Sequence, residues 1–300
     1  LAELEAVLAG ARQVLAFEPP HFGAGATVGG CIAAGLSGPR RMAYGPIGGA
    51  VRDHLLGARL VDGRGRLLHF GGTVMKNVAG YDVARALAGS LGVLGVIVEV
   101  SLKVLPAPEA EITLAFALEE TAALERMTEW GMQPLPVSAT FWHDGRLLVR
   151  LSGMPAALQA ARTVMGGEVL AADAATGQPL WTSIREQTHA GFAGAAPLWR
   201  VSLPPNSPAL GLGDPQCIEW LGTQRWLRSA LPADVLRGRA QALGGHATRF
   251  RADAANGADG ANAMEPFAPL APALAALQSR LKREFDPQQI FNRGRMYAEL

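Results

Sequence analysis

The sequence predicts an α+β fold built from two parts. In the first part, apolar runs alternate with glycine-rich turns and short helical segments, without the regular strand–helix–strand crossovers of a doubly wound sheet. In the second part, segments with strand and helix periodicity follow the order β-α-β-β-α-β, which is typical of the ferredoxin-like split βαβ fold. Pro106 and Pro108 separate the two parts, so we expect domains at residues 1–108 and 109–300.

Four segments of the first part carry clear local signals. Residues 1–10 place leucines on one helical face and end at a glycine. Residues 58–72 contain two apolar runs around an Asp-Gly dipeptide, which predicts a hairpin. Asp82 can cap a short helix that follows it. Residues 96–105 alternate, with the valines and leucine at even positions on one face, which indicates a half-exposed strand.

The second part begins with the ferredoxin-like pattern. Its predicted elements are a strand at 111–118, a helix at 119–130, a hairpin at 136–153, a helix at 154–166 and a strand at 167–172. Further strands and a helix follow. Residues 252–269 are rich in Ala, Gly, Asn and Asp and predict a flexible loop, after which 272–285 form a last helix.

Composition excludes several classes of function. The chain has 27 basic and 26 acidic residues, a net charge of +1, which gives no electrostatic basis for binding nucleic acid. No apolar run is long enough for a transmembrane segment, and no signal-peptide layout is present. Cys31 and Cys217 lie far apart without metal-ligand spacing, so we expect reduced thiols, no metal site and a cytoplasmic protein.

Glycine is the most informative residue, with 36 in the chain. In the stretch GAGATVGG, glycines at 23, 25 and 29 miss the dinucleotide fingerprint by one residue, and a hairpin follows where a Rossmann unit needs a helix and a parallel strand. Thr27 can nevertheless cap a helix that begins at Val28, and the bare amides of Gly29 and Gly30 can donate to phosphate oxygens. Tight helix–sheet packing explains the same glycines equally well.

A second glycine cluster, GSLGVLGV, begins at Gly89 and leads into the alternating strand. By itself it is explained by a sharp turn into an edge strand. Two glycine-rich turns that flank one hairpin favour a slot for an extended, phosphate-bearing cofactor.

The first part of the chain resembles the FAD-binding domain of the vanillyl-alcohol oxidase (PCMH-type) superfamily. The resemblance rests on four segments: GATVGG, GLSGPRR, the hairpin and GGTVMKNVAGYDVARALAGSLGVLGVIVEVSLKVLP. GGTVMKNVAGYD, GGHATRF and the terminal FNRGRMYAEL are more narrowly similar to the FAD-binding subunits of bacterial glycolate oxidase complexes. The resemblance covers essentially the whole chain. It implies the second lobe of a PCMH-type FAD-binding domain, followed by a ferredoxin-like α+β cap domain.

The resemblance also implies a set of FAD-binding residues. The backbone of the first glycine stretch would line the pyrophosphate, through Gly25, Ala26, Thr27, Gly29 and Gly30. The start of the alternating strand would border the adenine, through Gly95, Val96 and Ile97. Polar residues would lie near the flavin: Lys76, Asn77, Tyr81 and, in the last motif, Asn292.

The sequence departs from the family pattern in three ways. Relatives carry an N-terminal lobe with another phosphate loop, and nothing before Leu1 supplies it, so we expect weak or absent FAD binding by this chain. Arg293 replaces a usual proline and Val93 a frequent threonine, with small expected effects. The six histidines are scattered and lack the pairs with which related catalytic subunits hold a metal or act as base.

Candidates for catalysis come from two motifs, GGHATRF and the terminal FNRGRMYAEL. GGHATRF offers His246 as a base for the hydroxyl proton and Arg249 as a clamp for the substrate carboxylate, while Arg295 is a second possible clamp. Structural roles explain all three side chains as well. The tryptophans at 199, 220 and 226 indicate either core positions or a subunit interface.

These observations lead to a functional hypothesis. The resemblance implies an FAD-binding subunit of a glycolate oxidase (glycolate dehydrogenase) complex, which oxidises glycolate to glyoxylate by hydride transfer to flavin. Its partners would be a catalytic flavin subunit and an iron–sulfur subunit, with possible peripheral attachment to the inner membrane through the complex. The alternatives are a non-catalytic scaffold subunit and a stand-alone FAD-dependent oxidoreductase for D-lactate or a related 2-hydroxy acid.

Overall fold

The computed structural model describes residues 1–44, 48–74, 81–170, 179–213, 216–252 and 265–300. Its α-helices are α1 (Ala2–Gly10), α2 (Val28–Ala34), α3 (Val51–His54), α4 (Val83–Leu87), α5 (Glu120–Gly131), α6 (Pro155–Met165), α7 (Leu180–Arg185), α8 (Ala233–Ala242) and α9 (Pro272–Phe285). Its strands are β1 (Gln13–Val14), β2 (Leu55–Val61), β3 (Leu67–Gly71), β4 (Val96–Leu102), β5 (Leu105–Pro106), β6 (Ala110–Ala117), β7 (Val137–His143), β8 (Arg146–Gly153), β9 (Glu168–Val169), β10 (Leu198–Ser202), β11 (Gln216–Glu219), β12 (Gln224–Arg228) and β13 (His246–Arg251). Short 3-10 helices lie at Pro39–Tyr44, Ala190–Phe192 and Trp220–Gly222.

The chain forms two compact units. The first unit comprises Leu1–Gly38, Gly45–Ala107 and Pro269–Leu300, and the second comprises Pro39–Tyr44 and Pro108–Ala268. The sequence places α9 in the part after residue 108, whereas the structure packs it in the first unit. Leu281 and Phe285 of α9 join the core of that unit, a long-range contact that local periodicity does not reveal.

The first unit is built around the antiparallel sheet β3-β2-β4. The predicted hairpin is confirmed, because β2 and β3 pair from Gly57–Gly71 to Val61–Leu67. The predicted N-terminal helix is present as α1, and Asp82 caps α4 by accepting the amide of Arg85 at 3.4 Å. The buried core beneath the sheet includes Phe17, Ile32, Leu60 and Leu87.

The alternation predicted for residues 96–105 is wrong in one respect. Where β4 pairs with β2, the register shifts between Arg59 and Leu60. Such a bulge adds one residue to a strand and exchanges its inward and outward positions. Consequently Val96 and Val98 are about half exposed, at 49% and 53%, while Val100 packs against the core.

The second unit contains the eight-stranded sheet β13-β10-β12-β11-β7-β8-β6-β9, in which every pair is antiparallel. Its last four strands, with α5 and α6, reproduce the predicted ferredoxin-like order, so the predicted fold class is confirmed. One face of these strands packs against both helices through Leu114, Trp142, Val149, Met127 and Leu158. Most of the predicted loop at 252–269 lies outside the described residues.

Across the described parts of the chain, no helix combines the length and apolar character that crossing a membrane requires.

Candidate functional site

The first glycine-rich stretch leads into a helix N-terminus that can receive an anion. Thr27 is the N-cap of α2, and its Oγ1 accepts the amide of Gly30 at 3.0 Å, as the sequence predicts. The first amides of an α-helix have no acceptor within the helix. The Thr27 side chain satisfies the amide of Gly30. Within the described residues, the amides of Val28 and Gly29 are left at the helix end for a ligand oxygen.

A cavity of about 290 Å³ lies beside this helix end. Backbone and small side chains of the glycine-rich stretch contribute much of its lining, including Gly25, Ala26, Thr27 and Gly30. A Cβ at Gly25 would meet no atom within 4 Å, so the space beside that backbone is open rather than filled by packing. These residues therefore fit the phosphate part of a dinucleotide such as FAD.

Cys31 also lines this cavity. Burial, reinforced by the negative charge of Glu5, raises the pKa of its thiol to about 12. The thiol is therefore protonated at neutral pH and adds no negative charge that would repel a phosphate.

The second glycine cluster contacts the opposite end of α2 directly. The amide of Gly89 donates to Ile32 O at 3.1 Å, and that of Leu91 donates to Ala33 O at 2.8 Å. Gly35 has a left-handed backbone with φ of 63°, and a Cβ there would lie only 2.8 Å from the Gly89 backbone. Position 35 therefore requires glycine, because the end of α2 and the turn at 89–95 approach each other this closely. The contact fixes α2 against the turn.

Several predicted FAD-binding residues are brought close to this turn. Asn292 donates through Nδ2 to Leu91 O at 2.7 Å, which attaches the C-terminal motif to the turn. Position 95 requires glycine for two reasons: its φ is positive at 152°, and a Cβ would lie 2.5 Å from Val61 O. A Cβ at Gly29 would lie 3.5 Å from Ile97 O, an ordinary contact that packs α2 against β4. The same glycines thus serve packing, and the FAD roles of these residues stay predictions.

The predicted flavin-side residues are only partly described. Tyr81 precedes α4 and is 95% exposed, so its ring is open to a ligand. Lys76 and Asn77 lie outside the described residues.

The catalytic candidates divide between the two units. Arg295 belongs to the first unit, whereas His246 and Arg249 lie on β13 of the second. His246 pairs with Ser202 and Arg249 pairs with Trp199, three positions apart on β10, so their side chains point to opposite faces of the sheet. The sequence motif suggests that these two side chains act together, but the strand geometry does not bring them to one face.

The environment of His246 favours its neutral form. Loss of solvent around the imidazole, together with the positive charge of Arg200, lowers the pKa of His246 below its ordinary value. Arg200 is on the adjacent strand and faces the same side of the sheet, which sequence spacing alone does not show.

The fold also places two histidines together that the sequence separates widely. The rings of His143 and His189 lie 5.8 Å apart, and Nδ1 of His143 lies 3.8 Å from Sγ of Cys217. Among the described residues, no group of three His, Cys, Asp or Glu side chains is arranged to hold a metal ion.

Comparisons with known proteins agree with the cavity and the fold. Residues 1–85 match the family model described as an FAD binding domain. The chain is 45% identical over 300 residues to glycolate oxidase subunit GlcE of Escherichia coli (strain K12), covering all of this chain and 80% of that protein. It is 37% identical over 125 residues to glycolate oxidase subunit GlcD of Bacillus subtilis (strain 168), covering 41% of this chain and 26% of that protein.

More distant similarities extend these findings. The D-lactate dehydrogenase of Anaerostipes hadrus is 36% identical over 108 residues, covering 36% of this chain and 22% of that protein. Among solved structures, alkyldihydroxyacetonephosphate synthase matches with a TM-score of 0.58 at 15% identity, covering 96% of this chain and 61% of the other. At that identity the match shows the fold alone.

The fold, the glycine-lined cavity and the matching family model define an FAD-binding protein of the PCMH type, and its cofactor is FAD. Within this class of flavin oxidoreductases, the chain belongs to the family of the glycolate oxidase subunit GlcE.

Proposed function

We propose that this protein is the FAD-binding subunit of a complex that oxidises glycolate to glyoxylate. The observation that carries this proposal is the 45% identity to GlcE along the whole chain, together with the open, glycine-lined cavity at the capped N-terminus of α2. The similarity to GlcD supports a catalytic flavin subunit as a partner. An iron–sulfur subunit would then take up the two electrons, and peripheral attachment to a membrane would come through the complex.

The chain's own residues suggest how FAD would be held. The amides of Val28 and Gly29 would donate to the pyrophosphate, with Gly25, Ala26 and Thr27 alongside. Bound FAD supplies a two-electron acceptor for the hydride that leaves the carbon of a 2-hydroxy acid. Asn292 would position the C-terminal motif through its contact with Leu91 O.

The proton of the substrate hydroxyl needs a base. His246 fits this role, because its lowered pKa leaves the imidazole unprotonated at neutral pH and able to accept a proton at a ring nitrogen. Arg249 and Arg295 stay predicted clamps for the carboxylate.

Flavin loading tests the proposal directly. After FAD is added and the unbound cofactor is removed, the purified full-length protein should keep the visible absorbance of bound flavin, and a protein that keeps none would overturn the proposal. Titrating FAD into a chain extended by upstream residues would show whether this chain binds the cofactor more weakly, as predicted.

Two specific observations favour alternative functions. The opposite orientations of His246 and Arg249 favour a non-catalytic scaffold that retains FAD. The similarity to D-lactate dehydrogenase favours a stand-alone hydroxy acid oxidoreductase. Anaerobic mixing of the FAD-loaded chain with glycolate or D-lactate separates them: bleaching of the flavin by the chain alone excludes the scaffold, and bleaching by D-lactate only favours the stand-alone enzyme.

A further inference from the structure

One guanidinium on the large sheet is held firmly but keeps its terminal donors available. Arg200, in the middle of β10, donates through Nε to Oε1 of Gln224 at 2.8 Å. Within the part of the chain that the structure describes, this is the hydrogen bond that its guanidinium makes, so both Nη groups remain for a ligand. A guanidinium with two parallel N–H donors matches a carboxylate in bidentate geometry.

Neighbouring side chains fix the orientation of Arg200. Gln224 is fully buried, and its Nε2 donates to the carbonyls of Val201 and Arg225 at 3.3 and 3.2 Å, which determines the direction of Oε1. The Arg200 guanidinium also lies 5.5 Å from the ring centre of Trp220 and 6.0 Å from that of Trp226. Two indoles and one amide therefore hold the arginine in place before any ligand arrives.

The two indoles are themselves held in place. Trp226 donates through Nε1 to Oε2 of Glu219 at 2.6 Å in a buried position. Trp220 and Leu221 both have left-handed backbone, with φ of 54° and 53°, a conformation that costs free energy for residues other than glycine. The amide of Leu221 donates to Oγ1 of Thr140 at 2.9 Å, which helps to keep this turn in place.

The charge around Arg200 favours an anion. Arg41, from the 3-10 helix at Pro39–Tyr44, lies 5.0 Å from the same Trp220 ring. Burial and the positive charge of Arg41 lower the pKa of Arg200 to about 10, while Glu219 opposes this shift. Both arginines are protonated at neutral pH. Oε2 of Glu219, the carboxylate that opposes the shift, accepts a hydrogen bond from Trp226.

His246 completes this face of the sheet. Arg200 pairs with Thr248 across the strands, so His246 is its diagonal neighbour on the same side. Diagonal neighbours in an antiparallel pair lie about 7–8 Å apart, within reach of long side chains. A 2-hydroxy acid whose carboxylate binds Arg200 could therefore present its hydroxyl group toward the imidazole.

We propose that the Nη groups of Arg200, with Arg41 near the same Trp220 ring and His246 beside them, form a binding site for the carboxylate of a small 2-hydroxy acid. This inference rests on the proposed function for the choice of ligand, and it gives Arg200 the role that the sequence suggests for Arg249. Arg249 points to the other face of the sheet, away from His246.

Titration calorimetry of the FAD-loaded full chain with sodium glycolate tests the site. Wild-type protein should bind saturably, and Arg200→Met should weaken binding about 10- to 100-fold, the usual cost of losing a charged hydrogen-bond pair. Arg200→Lys keeps the charge but loses the planar fork, so it should bind glycolate at an intermediate strength and serves if the Met variant fails to fold.

Arg225→Met is the matched control. Arg225 is as fully buried as Gln224, but it lies on the opposite face of the same sheet and donates to the carbonyls of Gly222, Pro208 and Ser207. This variant should melt at a lower temperature and still bind glycolate like wild type. The proposal would be overturned if Arg200→Met bound glycolate as tightly as wild type, or if wild type bound none. It would also be overturned if chloride displaced glycolate from Arg200→Met and from wild type alike.

The flavin absorbance of the same samples separates this inference from the proposed function. Arg200 variants that bind FAD normally but lose glycolate support the site. Failure to bind FAD by wild type extended with upstream residues would instead refute the proposed function, and Arg200-dependent glycolate binding measured on the FAD-free chain would still stand in that case.

Discussion

Nζ of Lys282 lies 2.6 Å from Oδ2 of Asp286, and both side chains are almost fully buried at the end of α9. The same ammonium donates to Val93 O at 2.7 Å and to Phe291 O at 2.8 Å, which satisfies its three donors. Val93 belongs to the glycine-rich turn at 89–95, and Phe291 precedes Asn292. One lysine therefore joins α9, the turn and the C-terminal motif in the first unit.

Replacing this lysine should destabilise the protein strongly. Lys282→Met leaves Asp286 buried without its cation, and breaking a buried pair in this way costs about 3–5 kcal/mol. Arg126→Met is a suitable control, because its ion pair with Glu129 has a similar length of 2.8 Å but is half exposed. Exposed pairs contribute about 0–1 kcal/mol. Urea unfolding of the three proteins measures the difference, and equal stability of the two variants would contradict the prediction.

The contact between the two glycine-rich segments gives a second prediction. Gly35→Ala should destabilise the first unit for two reasons: its backbone is left-handed, and a Cβ would lie 2.8 Å from the Gly89 backbone. Gly65→Ala separates the cost of the backbone conformation from that of the close contact. Gly65 has a similar φ of 74°, but a Cβ there would meet nothing within 4 Å. Gly65→Ala should cost about 1 kcal/mol and Gly35→Ala clearly more. Thermal melts that gave the same loss for both would show that the close contact relaxes freely.

Local features of this fold could be predicted from the sequence. The Thr27 and Asp82 caps, the hairpin at β2 and β3, and the β-α-β-β-α-β pattern depend on residues that are close along the chain, and all are present in the structure. Features that depend on pairing between distant segments could not. The bulge opposite Arg59 changes which face Val96 occupies, and nothing in the alternation of β4 indicates it.

The candidate site shows the same limit. Glycines at 23–30 and 89–95 suggest a cofactor slot, but only the fold shows that the Gly89 backbone leaves no room for a side chain at Gly35. GGHATRF places His246 and Arg249 together in sequence, although three positions along a strand reverse the side-chain direction. Arg200 escapes attention because its neighbours Trp220, Gln224 and His246 come from three other segments.

Stability should fall in mildly acidic solution, in part because of His54. Its ring is 2% exposed and contacts Gly48 O through Nε2 at 3.0 Å, and burial lowers the pKa of His54 in the folded state. The unfolded chain then binds more protons below its ordinary pKa of about 6.5, so this contribution is present above that pH and is lost as the pH falls toward the folded value. The pKa values of His189 and His246 are lowered as well.

Urea unfolding between neutral and mildly acidic pH measures how steeply the free energy of unfolding falls with pH. If a His54→Gln variant showed the same pH dependence as wild type, His54 would make no contribution.

The cap of α2 should affect FAD binding as well as stability. Thr27→Ala removes the acceptor for the Gly30 amide, and losing an N-cap costs about 1 kcal/mol. The freed first turn would present the amides of Val28 and Gly29 less firmly, so we expect FAD affinity to fall by about 5-fold at that cost. Thr27→Ser keeps the hydroxyl and should bind FAD like wild type. Thr163→Ala is the matched control, because the hydroxyl of Thr163 donates to Gln159 O on the exposed face of α6 and Thr163 does not line the cavity. Titration of FAD followed by flavin fluorescence gives the four affinities. If Thr27→Ala bound FAD as tightly as Thr27→Ser, the N-terminus of α2 would have no role in holding the cofactor.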